Sequence, residues 1–349
     1  MTRVCITGMG GSIGCHVFRY ILEETDWNIV GLDSFRHRGL QDRISYMIAD
    51  IASRKPDAKK LIECWKRLTI YTHDLSAPLS NVLKKKIGSV DYIINLASLS
   101  DVQDSIENPD PFVFNNVQIA VNMLNYAREV KLKAFVHAST DEVYGPSGEN
   151  EGHPEWSAIV PSNPYSASKA CQEAIAIAYW RTYGVPLIIT NTMNNFGELQ
   201  QPRKYPAMLQ KLITNNEMVK VHGNKDAIGS RFYLHSRHYA SATIFILKNT
   251  TPHLHVDGFN DYPDRYNIVG SKRISNLELA QIIARLLGKE LRYELVDFHQ
   301  YSPGHDRHYG LDGKKLTKLG WKPDTDFETD LKQVLDWTAR HPEWLDGGN

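Results

Sequence analysis

The sequence predicts an α/β fold in which a doubly wound parallel sheet carries helices on both faces and a smaller lobe is attached to it. Three observations predict this fold. Short apolar runs alternate with segments of helical periodicity, a glycine-rich turn joins the first run to the first helix, and polar residues follow the ends of several runs. From about residue 186 onward, proline and glycine interrupt the pattern, which indicates a smaller, discontinuous α/β lobe.

These patterns divide the 349 residues into two parts. We expect residues 1–190, with a return segment at about 232–258, to form the sheet domain. Residues at about 191–231 and 259–349 are expected to form the lobe. Because ligands of such sheets bind beyond the carboxyl ends of the strands, the polar residues at those ends are the first candidates for a site.

A glycine-rich turn follows the first apolar run, Arg3–Thr7, and leads into a segment of helical periodicity. Its glycines have the spacing GxxGxxG. Glycine lets the backbone approach a pyrophosphate, and a helix N-terminus adds amide donors and the positive end of a dipole. Close packing alone also explains such a turn, so both interpretations stay open at this point. The residues expected at a pyrophosphate are Gly8, Gly11, Ser12, Ile13 and Gly14.

The second predicted strand ends in an acidic residue, Asp33, nineteen residues after Gly14. A carboxylate at this position accepts hydrogen bonds from the ribose hydroxyls of an adenosine and repels a 2′-phosphate, which favours NAD over NADP. Arg36 and Arg38 follow closely. They either soften that preference or belong to a solvated loop.

The third and fourth predicted strands add further cofactor contacts. An adenine ring is expected to lie against Leu75 with Asp74 facing its amino group. The fourth strand, at 91–96, runs into a small-residue segment at the same edge of the sheet. The contacts expected from that strand end are Leu96, Ala97 and Ser98.

Residues 139–145 place the hydroxyl of Thr140 and the carboxyls of Asp141 and Glu142 at the end of an apolar run. Adjacent side chains on a strand point to opposite faces, so both carboxyls reach one ligand only if the strand ends near Thr140. Two carboxyls in one confined site repel, which keeps one of them protonated near neutral pH. An acid beside a base suits elimination of water; a solvated acidic loop is the alternative.

Tyr165 and Lys169 are four residues apart and therefore project from one face of a helix. An ammonium close to a phenol favours the phenolate, and moving its pKa from about 10 toward about 7 corresponds to about 4 kcal/mol. Such a phenolate takes a proton from a sugar hydroxyl. A surface helix is the alternative, and the preceding motifs favour the catalytic interpretation.

Taken together, these motifs resemble the extended short-chain dehydrogenase/reductase family and, within it, the nucleotide-sugar 4,6-dehydratases. The resemblance covers most of the chain, and its most specific part is the Ser-Thr-Asp-Glu-Val-Tyr-Gly segment at 139–145. Epimerases of the superfamily generally lack the Asp-Glu pair. The other matching segments are Asn-Leu-Ala at 95–97, Pro-Tyr-Ser-Ala-Ser-Lys at 164–169, Asn-Asn-Phe-Gly at 194–197, Pro-Gly-His-Asp-Arg at 303–307 and Leu-Gly-Trp at 319–321.

The resemblance implies a Rossmann domain and a reaction cycle on a dTDP- or UDP-glucose type of substrate. Tyr165, assisted by Lys169 and Thr140, takes the C4 hydroxyl proton while hydride moves from C4 to NAD. Glu142 then removes the C5 proton and Asp141 protonates the departing C6 hydroxyl. Hydride returns to C6, which leaves a 4-keto-6-deoxy sugar nucleotide.

Substrate contacts are also implied by the resemblance. Asn195, Arg231 and Arg307 match positions that hold the diphosphate, while Ser100 and Asn267 reach the sugar or the phosphates. Ser100 itself stands where the family usually has histidine, and Phe232 and His222 stand where it usually has aspartate and tyrosine. About two extra residues also lie between Gly223 and Arg231. These departures leave the nucleotide base and the hexose open.

Two other functions are weighed against this one. A nucleotide-sugar 4-epimerase or related oxidoreductase would use Tyr165 without eliminating water, and a dinucleotide-binding protein would catalyse nothing. The Asp141-Glu142 pair favours the dehydratase over the first, and the complete set of polar motifs argues against the second.

The amino-acid composition limits the kinds of partner that we expect for this protein. With 40 basic and 40 acidic residues the net charge is zero, so we expect neither nucleic acid nor an anionic membrane surface as a partner. The four cysteines are scattered without metal-ligand spacing, which predicts no metal site and free thiols in a reducing compartment, the cytoplasm. The family resemblance implies a homodimer through the helices near 117–130 and Tyr165.

Overall fold

The computed structural model describes residues 1–37, 39–54, 58–149, 151–224, 227–297 and 306–345. Its strands are β1 (Arg3–Thr7), β2 (Asn28–Asp33), β3 (Leu68–Thr72), β4 (Tyr92–Asn95), β5 (Ala134–Thr140), β6 (Leu187–Thr192), β7 (Asn194–Phe196), β8 (Val219–Asn224), β9 (Ala227–Ile228), β10 (Ser230–His235), β11 (Asp264–Ile268), β12 (Arg273–Ser275) and β13 (Tyr293–Val296).

The helices among these residues are α1 (Gly14–Glu24), α2 (Leu40–Arg54), α3 (Ala58–Lys66), α4 (Asn81–Ile87), α5 (Val102–Glu107), α6 (Pro109–Glu129), α7 (Pro164–Tyr183), α8 (Tyr205–Thr214), α9 (Ser236–Asn249), α10 (Asn276–Leu287), α11 (Lys314–Lys318) and α12 (Phe327–Arg340). Two short 3-10 helices span Asp141–Tyr144 and Pro342–Trp344.

Seven strands form one sheet in the order β11-β6-β5-β4-β1-β2-β3. Every neighbouring pair in it is parallel. One apolar cluster packs α1, α2 and α9 against one face, and a second packs α6 and α7 against the other. The predicted doubly wound parallel sheet is therefore confirmed. The strand order reverses between β1 and β4, which is where such sheets open a crevice for ligands.

The smaller lobe is built on two three-stranded sheets, β12-β10-β7 and β13-β8-β9. Its apolar core is a third cluster that includes residues of α8, α10 and α12. The predicted return segment at about 232–258 is corrected in one respect: it supplies α9, whereas the strand that returns to the large sheet is β11, further along the chain. The exact division into two lobes stays a prediction.

No helix within the described ranges is both long and apolar enough to cross a membrane.

Candidate active site

The glycine turn after β1 holds its backbone in a shape that only small residues allow. Gly8 has φ +65°, and a Cβ added to it would lie 2.9 Å from backbone atoms of Ala97. A Cβ on Gly14, the first residue of α1, would lie 2.1 Å from the carbonyl oxygen of Gly8. The turn thus presses against the end of β4 and the start of α1, which leaves room for a phosphate group at the helix N-terminus.

Asp33, the last residue of β2, is buried beside this turn. Its Oδ2 accepts a hydrogen bond from the amide of Gly10 at 2.9 Å, and its Oδ1 accepts one from the amide of Phe35 at 3.1 Å. These bonds fix the carboxylate in the lining of a cavity of about 110 Å³. The predicted cofactor residues that line this cavity are Gly8, Gly11, Asp33, Asp74, Leu75, Leu96, Ala97 and Ser98.

The turn, the fixed carboxylate and the apolar walls fit the adenosine diphosphate half of a dinucleotide. Ser12, Ile13 and Gly14 of the predicted set do not line the cavity, but they lie in the same turn at the start of α1. Asp74 is expected to contact an adenine amino group, but Arg36 already occupies one of its oxygens. Asp74 Oδ2 is 2.9 Å from Arg36 Nη1. Arg36 also donates to Asn115 of α6 and so lies across the cavity. Arg38 lies outside the described residues.

The catalytic segment turns where the sequence predicts. β5 ends at Thr140, and Asp141 begins the 3-10 helix, so the alternation of a strand does not force the two carboxyls onto opposite faces. Thr140 Oγ1 donates to Asp141 Oδ1 at 3.0 Å. Burial, and next the neighbouring Glu142 carboxylate, raise the pKa of Asp141 from 3.8 to about 7. This supports the assignment of Asp141 as the acid.

Glu142 has a different environment. Burial raises its pKa as well, but a hydrogen bond from Asn163 and the charges of Arg231 and Lys204 oppose that effect. The amide Nδ2 of Asn163 donates to Glu142 Oε2 at 3.0 Å. The two adjacent carboxyls therefore differ in what stabilises them, which is what an acid–base pair needs.

Tyr165 and Lys169 lie on α7, near the end of β5. Lys169 Nζ donates to the carbonyl oxygen of Ala138 at 2.7 Å and to Gln172 Oε1 at 2.6 Å. Burial lowers the pKa of Lys169 to about 8. The Lys169 ammonium is thus hydrogen-bonded to β5 at Ala138, the residue before Ser139.

The predicted effect of Lys169 on Tyr165 is corrected. Burial and the carboxylates of Glu142 and Asp141 raise the pKa of Tyr165 above its usual value, and a hydrogen bond with Thr140 only partly opposes them. Lys169 is not among the causes of the shift. Because these causes disfavour the phenolate in the ligand-free protein, the use of Tyr165 as a base requires an added positive charge.

A buried ionic network, which the sequence did not predict, holds the backbone and side chains of the predicted catalytic segment at 139–145 in place. Arg265 Nη2 of β11 lies 2.7 Å from Glu173 Oε2 of α7, and both side chains are 0% exposed. Arg265 Nη1 donates to the hydroxyl of Tyr144 at 2.8 Å. Asn191 Nδ2 donates to the carbonyl oxygen of Thr140 and to Glu173 Oε1, each at 3.0 Å. The network ties both ends of the 3-10 helix to α7 and to strands β6 and β11.

The predicted substrate residues separate into two groups. Arg231 lies close enough to Asp141 and Glu142 to lower their pKa values. Its guanidinium donates to the backbone oxygens of Ser230, Asp306 and Arg307 and stacks on the ring of Tyr309, with 4.4 Å to the ring centroid. The side chain of Arg307 is exposed.

Asn195, Ser100 and Asn267 are placed differently. Asn195 Nδ2 donates within its own loop, to Thr192 Oγ1 and the Met193 carbonyl oxygen. Ser100 is exposed, and its carbonyl oxygen lies 3.5 Å from Lys204 Nζ. Asn267 is fully buried and lines a separate cavity of about 660 Å³, whose described lining includes none of the predicted catalytic residues. The proposed contact of Asn267 with substrate therefore has the weakest structural support of the three.

Apart from Ser100, which follows β4 of the large sheet, the positions that depart from the family pattern lie in the smaller lobe. His222 is half-buried on β8, where burial, and next Lys220, lower its pKa. The guanidinium of Arg273 lies 5.1 Å from the ring centroid of Phe232. Residues 225 and 226 of the extra segment lie outside the described residues.

One group of metal-ligating side chains was not anticipated. His16, Glu198 and His235 have ligand atoms within 4.8 Å of one another. His235 Nδ1 accepts from the amide of Arg237 at 3.0 Å, so its Nε2 carries the proton and donates to Glu198 Oε2 at 3.1 Å. His16 Nε2 lies 3.1 Å from the Glu198 carbonyl oxygen. Because hydrogen bonds use these ring nitrogens, we interpret the group as a structural link between α1, β10 and the turn that follows β7.

Comparison with known proteins adds the family. The model of the GDP-mannose 4,6 dehydratase family matches residues 5–334. The chain belongs to this family. It is an extended short-chain dehydrogenase/reductase of the nucleotide-sugar 4,6-dehydratase type, as the resemblance implied.

Among its relatives, a probable dTDP-glucose 4,6-dehydratase of Sinorhizobium fredii is 30% identical over 98% of this chain and 94% of its own. A trifunctional Arabidopsis thaliana protein named for UDP-glucose 4,6-dehydratase, 3,5-epimerase and reductase activities is 32% identical, over 98% of this chain and 48% of its own. The structure of dTDP-glucose 4,6-dehydratase from Streptomyces venezuelae, with NAD bound, has a TM-score of 0.81, 27% identity and 98% coverage of both chains.

UDP-glucuronic acid 4-epimerase from Bacillus cereus has the same TM-score of 0.81 at 20% identity, covering 97% of this chain and 100% of its own. At that identity the likeness shows the fold alone. The cofactor of this family member is NAD, in agreement with the chemistry of the β1–α1 turn and Asp33.

Proposed function

We propose that this chain is an NAD-dependent nucleotide-sugar 4,6-dehydratase of the dTDP- or UDP-glucose type, which makes a 4-keto-6-deoxy sugar nucleotide. The observation that carries the proposal is the adjacent pair of a buried Asp141 and a half-buried Glu142, whose unlike hydrogen bonds suit one to donate a proton and the other to accept one. The pair lies beside Tyr165, whose phenol both carboxylates influence. An enzyme that only oxidises and reduces C4 has no use for such a pair.

The residues of the chain divide the proton transfers among them. When bound, NAD would supply the hydride acceptor for C4, the hydride donor for C6 and a positively charged nicotinamide ring, and the glycine turn after β1 and Asp33 would hold its adenosine diphosphate half. Tyr165 takes the C4 hydroxyl proton, with Thr140 as its hydrogen-bond partner. Once C4 is a ketone the C5 proton is acidic, and Glu142 removes it. Asp141 gives its proton to the C6 oxygen, the C6–O bond breaks, and water leaves.

The protons balance over the cycle. Glu142 returns a proton to C5, and the proton that Tyr165 took from the C4 hydroxyl replaces the one that Asp141 gave to water. The net change is loss of one water from the sugar. The pKa of about 7 at Asp141 keeps a substantial fraction of this carboxyl protonated near neutral pH, which is the state that its role requires.

A product screen tests the proposal. Purified protein with NAD is incubated with dTDP-, UDP-, GDP- and CDP-hexoses, and products are identified by mass and NMR. We expect loss of water and a 4-keto-6-deoxy product with a glucose nucleotide. A C4 epimer in place of that product, or no turnover of any sugar nucleotide, would refute the proposal.

We also propose that the protein is a homodimer through α6 and α7, acts in the cytoplasm and needs no nucleic acid or membrane. Among the described residues Cys5, Cys15 and Cys64 are buried, Cys171 on α7 is exposed, and none of the four forms a disulfide, which suits a reducing compartment. Light scattering after gel filtration tests the dimer. A monomer at micromolar concentration would contradict it.

A further inference from the structure

Asn163 connects the two halves of the proposed active site. It is the N-cap of α7, the helix that carries Tyr165 and Lys169, and its Oδ1 accepts a hydrogen bond from the amide of Ser166 at 2.9 Å. Its Nδ2 donates to Glu142 Oε2 at 3.0 Å. The residue is 6% exposed. One short side chain thus anchors the oxidation helix and one of the two carboxyls.

The orientation of the Asn163 amide follows from the cap. If the amide were reversed, Nδ2 would face the Ser166 N–H, and two donors would meet in a buried place. The cap therefore fixes the NH₂ group toward Glu142. An NH₂ group has no lone pair to offer a carboxylic acid proton, so it favours the ionised form of Glu142.

Asp141 receives a different partner. Thr140 Oγ1 is a hydroxyl, which donates to a carboxylate or accepts from a carboxylic acid by rotating its hydrogen. The contact thus tolerates both states of Asp141. The two carboxyls therefore differ in their partners. Glu142 contacts an NH₂ group that can only donate a hydrogen bond, whereas Asp141 contacts a hydroxyl that can donate or accept one.

We propose that Asn163 is the positioning residue that gives the two adjacent carboxyls their opposite roles, Glu142 as the ionised base and Asp141 as the protonated acid. This proposal rests on the proposed function, because acid and base are roles in the elimination of water. The order in which the two carboxyls ionise is a property of the free protein and is tested apart from it.

Other charges act on Glu142 and must stay constant in a test. The titratable and charged groups that face it are Asp141, Arg231, Lys204, Asp306, Tyr165 and Tyr309. None of them belongs to the cap. A change at position 163 that preserves the cap therefore removes the donor to Glu142 and leaves these six groups unchanged.

Two variants preserve the cap. Asn163→Asp keeps the acceptor for the Ser166 amide and replaces the NH₂ donor by a carboxylate oxygen, and aspartate and asparagine are equally good N-caps. Asn163→Ser keeps a capping oxygen but is too short to reach Glu142. Serine is also a good N-cap, so both variants should unfold within a few degrees of the wild type.

The first readout is the titration of the two carboxyl groups by ¹³C NMR in the ligand-free protein, assigned with Glu142→Gln. In the wild type we expect Glu142 to ionise below Asp141. Asn163→Ser should move the Glu142 titration upward by about 1 pH unit, and Asn163→Asp by about 2. An unmoved Glu142 titration in both variants, or a wild type in which Asp141 ionises first, overturns the proposal.

The second readout is the pH profile of product formation. We expect the acidic limb for water elimination to move upward in the order wild type, Asn163→Ser, Asn163→Asp, while oxidation of C4 at high pH stays within about twofold. An equal loss of oxidation and elimination at every pH would mean that Asn163 serves only the helix, and the proposal fails. A wild type that never eliminates water refutes the proposed function instead, and the NMR titration still decides the order of ionisation.

Discussion

Replacing Asp141 by asparagine should stabilise the protein while it disables water elimination. The wild-type carboxyl is 4% exposed and has its pKa raised from 3.8 to about 7, mainly by burial. Above pH 7 the folded protein must hold a buried carboxylate there. Asparagine has the same shape, keeps an oxygen for the Thr140 hydroxyl and carries no charge. The function of the site thus opposes its stability.

The size of the effect follows from the shift. A rise from 3.8 to about 7 is about 3 pH units, or about 4 kcal/mol of free energy of unfolding. Below pH 3.8 the carboxyl is protonated in both states, so wild type and variant differ little. As the pH rises from 3.8 to about 7 the unfolded chain ionises first, and the wild type loses stability. The gain of Asp141→Asn should grow over this window and level off above it.

Urea unfolding of wild type and Asp141→Asn at pH 5, 6, 7 and 8 measures this gain, with and without NAD. Glu142→Gln is the matched control, because Asn163 and Arg231 offset part of the burial effect at Glu142 and its gain should be smaller. In the same preparations Asp141→Asn should still oxidise C4 of the substrate. It should eliminate water from the substrate at least about a hundredfold more slowly than the wild type, the size of effect expected for removing a general acid. A gain that is absent at pH 8, or equal at every pH, would refute the reasoning, as would unchanged elimination.

Three further predictions concern the support of the site and its cofactor. Arg265→Met leaves the Glu173 carboxylate buried without its cation and should lower the free energy of unfolding by about 3–5 kcal/mol, with partial recovery in the double variant with Glu173→Gln, measured by urea unfolding. A double variant no more stable than Arg265→Met alone would contradict the pairing of Arg265 with Glu173. Gly8→Ala places a Cβ 2.9 Å from Ala97 at φ +65° and should weaken NAD binding at least tenfold by calorimetry, whereas unchanged binding would place the cofactor elsewhere. Asp33 should make NADP bind at least tenfold more weakly than NAD, and equal affinities would show that Arg36 outweighs it.

The sequence is a good guide where the chemistry is local. The glycine turn, the acidic end of β2 and the four-residue spacing of Tyr165 and Lys169 are patterns within one or two elements. The turn after Thr140 was also predictable, because Gly145 and Pro146 soon end any regular structure. Together with the predicted strand ends, these patterns supplied eight of the sixteen described residues that line the cavity beside Asp33.

The sequence is a poor guide where partners are distant. Arg265 and Glu173 are 92 positions apart, and neither shows a pattern that announces a buried ion pair. The same pair explains why β11 was missed: Asp264–Ile268 contains buried polar side chains and does not read as an apolar strand. In the sequence Asn163 is simply a residue before a proline, and its contact with Glu142 depends on how the start of α7 meets the 3-10 helix. The pKa of Tyr165 could not be derived from the spacing of Lys169, because Lys169 is bound to Ala138 and Gln172 instead.

The most direct test of the central claim follows a deuterium atom from C4 of the substrate. A glucose nucleotide that the product screen identifies is labelled at C4 and converted in ordinary water, and the product is examined by NMR. Dehydration predicts that the deuterium appears at C6 of a 4-keto-6-deoxy sugar. Deuterium that returns to C4 of an epimer would contradict the account and assign the chain to epimerisation.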